Sequence, residues 1–247
     1  MTATPLTWLA LGDSYTIGEG VADAARWPLQ VAAALRAEGI AMTGPDIIAT
    51  TGWTTDELDA GIDAAAPQGP YDLVSLLIGV NDQYRGRPLA DYLPAFEGLL
   101  QRAIGFAGGK HGRVLVLSIP DWGVTPFARA QGRDAARIAA ELDAYNGAAA
   151  EACTHAGVAF VDITPISRAH CALLADDGLH PSADMYARWA KASLPTARML
   201  LADARFERVI PLRLPGPVHF VLGRRDERTE GLGKRAQQQR PQSRTLL

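Results

Sequence analysis

Leu9-Ala10-Leu11-Gly12-Asp13-Ser14-Tyr15-Thr16 reads as a short apolar strand that halts at a glycine and passes straight into a helix. An unbroken apolar run has no polar face, so such a strand is buried on both sides, as in a parallel sheet covered by helices. The Ser14 hydroxyl stands where strand gives way to helix, exposed and close to helix N–H groups that stabilise negative charge. This strand–turn–helix step sets the expectation for everything that follows it.

Four more apolar runs repeat the step: Asp46 to Ala49, Leu73 to Ile78, Val114 to Ser118 and Val158 to Ile163, with the first running from Leu6 to Leu11. Helical patterns lie between them. Pro28 to Ala37 carries apolar positions at Leu29, Ala33 and Leu35, with Gly39 just past its end. Thr54-Thr55-Asp56-Glu57-Leu58 has the form of a capped helix start. Leu89 to Ile104, Ala130 to Ala156 and Ser182 to Ala202 supply the longer helices. Strand alternating with helix predicts an α/β fold, a three-layer α/β/α sandwich on a five-stranded parallel sheet of flavodoxin-like order, 2-1-3-4-5.

The polar residues fall in register with this scheme. Gly12-Asp13-Ser14 follows the first strand, Thr50-Thr51-Gly52-Trp53-Thr54 the second, Gly79-Val80-Asn81-Asp82 the third and Pro120-Asp121-Trp122-Gly123 the fourth. The carboxyl ends of parallel strands face one way, so these loops share a rim, where open α/β sheets bind ligands. Asp176-Asp177-Gly178-Leu179-His180-Pro181, beyond the fifth strand, reaches the same rim. A serine needs a base to take its proton, and an imidazole, which titrates near neutral pH, serves. That imidazole needs an orienter, and Asp177, three residues before His180, has the offset that Asp176 lacks. Donors for an oxyanion are the backbone N–H groups of Ser14 and Gly52 and the side-chain amide of Asn81. Taken alone, Ser14 is an ordinary helix N-cap, Asn81 a turn residue and Gly52 a positive-φ position. Asp13 reads as structural within its turn. Tyr15, Trp53 and Trp122 suit the wall of an acyl pocket or an aromatic core equally.

These blocks, in this order, resemble the SGNH (GDSL) hydrolase family, named for a Ser, Gly, Asn and His in separate segments. The similarity runs from Leu6 to about Ala204. It implies the sandwich above, the triad Ser14, Asp177 and His180, and cofactor-free, metal-free hydrolysis of carboxylic esters or thioesters of small acyl substrates through an acyl-enzyme. The sequence departs from the family pattern at Tyr15, where leucine usually follows the serine, which bears on the shape of the acyl pocket. An acyltransferase with the same triad, or a non-catalytic binding module on the same scaffold, are the alternatives.

The remainder of the chain bounds the reading. Its 247 residues, 48% hydrophobic and 21% charged, suffice for one large core, and a net charge of −3 gives no general pull toward nucleic acid. The amino-terminal residues show neither a basic leader nor a continuous apolar stretch, so no stable membrane insertion is expected. Cys153 and Cys171 are too few for a disulfide framework, which suits a cytoplasmic enzyme with reduced thiols. Oligomeric state stays open. There is no Gly-x-Ser-x-Gly elbow, and Gly18-Glu19-Gly20 lacks phosphate-loop spacing. His111, His155, His170 and His219 have no partners of triad type, and His170-Cys171 with His180 fits no zinc spacing. A hydrolase domain over 1–205 is expected, followed by a Pro/Arg-rich extension, 206–247, of disordered composition.

Overall fold

The computed structural model describes residues 4–209, with side chains described through Ala202. Strand β1 (Trp8–Gly12) leads into helix α1 (Ser14–Ile17), and α2 (Trp27–Ala37) carries the chain to β2 (Asp46–Ala49). Helix α3 (Thr55–Ala65) leads to β3 (Leu73–Leu77), then α4 (Val80–Tyr84) and α5 (Leu89–Phe106). Strand β4 (Val114–Leu117) precedes α6 (Pro126–Ala130) and α7 (Ala135–Ala156), and β5 (Ala159–Val161), α8 (Thr164–Ala169) and α9 (Ala183–Val209) follow.

The five strands form one sheet in the order β2-β1-β3-β4-β5, every neighbouring pair parallel. Strands β1, β3 and β4 are buried at every residue, as their unbroken apolar sequences require. Helices α2 and α9 pack together as one outer layer, and α3, α5 and α7 form the other. The sheet order reverses at β1, so the crevice for a ligand opens between the carboxyl ends of β1 and β3. Gly12 lets those ends close up. A Cβ there would stand 2.2 Å from Thr16 Oγ1 and 2.5 Å from the Leu77 carbonyl.

Several boundaries differ from the periodic pattern. Leu6 pairs only through a single bridge to Met42, and β1 begins at Trp8. The expected helix over 130–156 is two: α6 ends at Ala130, Gly132 takes a φ of +63°, and Asp134 caps α7 by accepting the Ala136 and Arg137 N–H groups. The Thr54 start is a capping box, Thr54 N–H donating to Glu57 Oε2 at 2.8 Å. Helix α9 runs through the expected boundary at 205 to Val209. The extension expected over 206–247, with His219, lies outside the described residues from 210 onward. No helix among the described residues is long and apolar enough to cross a membrane.

Candidate active site

Ser14 is the first residue of α1, and its N–H is among the helix donors that have no intrahelical acceptor. The cap is Asp13, whose Oδ1 accepts the Tyr15 N–H at 3.0 Å. Asp13 is fully buried, and its carboxyl is pushed up to about 8, chiefly by burial, with the Asp82 charge adding to it against the pull of the Tyr15 N–H.

Asp177 and His180 sit on the loop between α8 and α9. Asp177 Oδ1 accepts the backbone N–H groups of Leu179 and His180, each at 2.9 Å, and Oδ2 meets His180 Nδ1 at 2.5 Å. Partial burial raises the Asp177 carboxyl, but the hydrogen bonds from the His180 ring and the two amides outweigh it and hold the group below its ordinary value. It is therefore a carboxylate, an acceptor only, so Nδ1 is the donor of the pair. In the neutral ring that tautomer leaves Nε2 to accept a proton. Tyr15 holds the other flank of the imidazole, its ring centroid 6.0 Å away in an edge contact.

The donors expected for an oxyanion come from the loops after β2 and β3. Gly52 has a φ of +88°, and its carbonyl accepts from Arg85 Nη2 at 2.7 Å. No atom lies within 4 Å of a Cβ built at Gly52, so its backbone angle rather than space calls for glycine. Asn81 Nδ2 donates to the Trp53 carbonyl at 2.9 Å, and the amide's second N–H remains to it. Buried Asp82 ties the two loops together. It accepts from the Thr55 N–H at 3.0 Å and Oγ1 at 2.8 Å, and pairs with Arg87 Nη1 at 2.8 Å. Its burial raises its carboxyl, and those partners oppose the shift.

Ser14, Gly52, Asn81 and His180 line one cavity of about 180 Å³. Tyr15 and Trp122 are on its wall; Thr51, Val80, Tyr84, Phe127 and Leu179 also line it and were not singled out from sequence. Tyr84 lies three residues beyond Asn81 on α4, the spacing that places two residues on one side of a helix. Trp122 is held by its indole N–H, which donates to Gln83 Oε1 at 2.8 Å, and by edge contacts with Tyr84 and Phe127. Trp53 is not among the lining residues. Its ring packs on Gly61 of α3, where a Cβ would stand 2.2 Å from the indole, and its contribution is the carbonyl that receives Asn81. No group of three His, Cys, Asp or Glu side chains among the described residues is arranged to hold a metal ion.

Fold and rim together define a three-layer α/β sandwich with a cavity at the carboxyl ends of its parallel strands. A family model described as the GDSL-like Lipase/Acylhydrolase family matches residues 10–188. No curated protein matches. Among solved structures, TesA is 20% identical with a TM-score of 0.61, over 79% of this chain and 99% of that one. The psychrotrophic esterase EstA from Pseudoalteromonas sp. is 16% identical with a TM-score of 0.55, over 82% and 98%. A variant of Axe2, an acetyl xylan esterase from Geobacillus stearothermophilus, is 20% identical with a TM-score of 0.57, over 79% and 95%. At these identities the structures speak for the fold, and the family model speaks for the family. The chain belongs to the GDSL-like lipase/acylhydrolase family. It is a carboxylic ester hydrolase.

Proposed function

We propose that the protein cleaves carboxylic esters or thioesters of small acyl groups through an acyl-enzyme on Ser14. His180 Nε2 takes the Ser14 proton as Oγ attacks the acyl carbon. The Ser14 and Gly52 N–H groups and Asn81 Nδ2 hold the oxyanion of the tetrahedral intermediate. Collapse breaks the bond to the alkoxide or thiolate, which leaves with the proton from His180. Water, deprotonated by the same ring, then attacks the acyl-serine and regenerates Ser14. Asp177 fixes the tautomer and stabilises the imidazolium.

The observation that carries this reading is the Asp177–His180 bond of 2.5 Å, set on a cavity that Ser14, Gly52 and Asn81 also line. The size of that cavity and its Tyr15, Tyr84, Trp122 and Phe127 walls favour short acyl chains. Cys153 and Cys171 are both free thiols, in keeping with a reducing, cytoplasmic setting. The test is a series of p-nitrophenyl esters from acetate to palmitate, run with Ser14→Ala. We expect acetate and butyrate to be turned over best, and Ser14→Ala to lose turnover by a factor on the order of 10⁶ with the fold intact. Undiminished hydrolysis in that variant, or no labelling of Ser14 by a fluorophosphonate, refutes the reading.

A further inference from the structure

Beside the catalytic cavity lies a larger groove of about 510 Å³ between α4 and α7, and the two adjoin through residues common to both, Tyr84 and Trp122. The charges lining the groove are mostly spent. Arg87 pairs with Asp82 and Asp56, Arg137 Nε donates to Glu141 Oε1 at 2.8 Å, and Asp134 caps α7. Arg133 differs: among the described residues no carboxylate lies within ion-pair distance of it. Its guanidinium sits over the shared aromatics instead, 4.9 Å from the Tyr84 ring centroid and 5.7 Å from that of Trp122. One further contact runs from its Nη2 to the Tyr84 carbonyl at 3.4 Å. Stacking orients the planar fork and leaves its remaining N–H groups without a carboxylate, the arrangement that receives an oxyanion in two parallel hydrogen bonds.

We propose that Arg133 makes the enzyme selective for esters bearing an anionic group, a carboxylate or a phosphate, on the part of the substrate beyond the scissile bond. This rests on the assignment of the 180 Å³ cavity as the place of ester cleavage. The acyl group occupies that cavity, the leaving portion crosses the Tyr84–Trp122 wall, and its anion meets the guanidinium in the groove. Because Arg133 is exposed, the selectivity is screened by salt.

The test compares kcat/KM for 4-acetoxybenzoate and 4-acetoxyphenyl phosphate with that for neutral 4-acetoxybenzamide, in wild type, Arg133→Gln and Arg133→Lys. Intrinsic differences in leaving group cancel when the anionic-to-neutral ratio is compared between enzymes. We expect that ratio to fall about tenfold in Arg133→Gln, to be kept in part by Arg133→Lys, and to decline in wild type as salt is added. A fall for one anion alone identifies it as the chemistry read. A ratio identical in all three enzymes at low salt, with the neutral ester cleaved, overturns the role of Arg133 and leaves the esterase reading standing. If wild type cleaves none of the three esters, the assignment of the cavity fails and this proposal fails with it.

Discussion

Next to the proposed nucleophile, Asp13 keeps a proton that an exposed carboxyl would shed. Its Oδ2 is buried without a hydrogen-bond partner among the described residues, so an ionised Asp13 would be a buried charge beside Ser14 held by little more than the Tyr15 N–H. The folded value of about 8 lies above the ordinary 3.8, so the native state binds a proton that the unfolded chain releases. The associated stability is fully present below about pH 4 and is lost as the pH rises through about 8. Asp13→Asn keeps an acceptor for the Tyr15 N–H and removes the titration. At pH 9 we expect this variant to exceed wild type by about 1 kcal/mol or more, read as a Tm some 2–4 °C higher, with the advantage gone at pH 4. The turnover profile should respond in the same sense. Wild-type turnover should decline through about pH 8 as Asp13 ionises. Asp13→Asn should lose the alkaline decline; an unchanged alkaline limb in that variant would separate Asp13 from the chemistry.

At the scale of elements, the proposed oxyanion donors depend on contacts made between neighbouring segments. The Trp53 ring packs against α3 because Gly61 leaves room for it, and the Trp53 carbonyl receives Asn81 Nδ2. Gly61→Ala should push the indole away, disturb that hydrogen bond and lower kcat about tenfold or more, with unfolding midpoint and KM little changed. Steady-state kinetics beside a urea titration separate this from general destabilisation. These contacts also show what was readable in advance. The five strands, the capping box at Thr54 and the order of the polar loops follow from local periodicity and turn chemistry, which each segment carries by itself. So did the pairing of Asp177 with His180, because both belong to one loop. The split between α6 and α7 was hidden by an alanine-rich run that suits a helix throughout, while Gly132 and the Asp134 cap decide the break. For Trp53 the sequence left a pocket wall and an aromatic core equally open; that its ring turns to Gly61 is a matter of tertiary packing. Tyr84 and Phe127 needed the juxtaposition of α4 with α6, which no single segment encodes.

At the scale of the described molecule, α9 closes what the first strand begins. Trp189 of α9 is fully buried and makes edge contacts with Tyr15 and with Tyr186 at 5.9 and 5.1 Å. It thus joins the layer formed by α2 and α9 to the residue that flanks both Ser14 and His180. Trp189→Ala should cost about 3–5 kcal/mol in the free energy of unfolding, measured by denaturant titration, and activity at a temperature where the variant remains folded should drop as Tyr15 loses its support. A loss under about 1 kcal/mol would show that the cavity refills and that this helix is not the clamp described. The acid and the imidazole, by contrast, are fastened to each other by their own short loop, through two amide hydrogen bonds and one ring contact. They form a prefabricated cassette, whose grafting beside a serine-bearing turn in another scaffold is a problem of docking and orientation, with the internal wiring already in place.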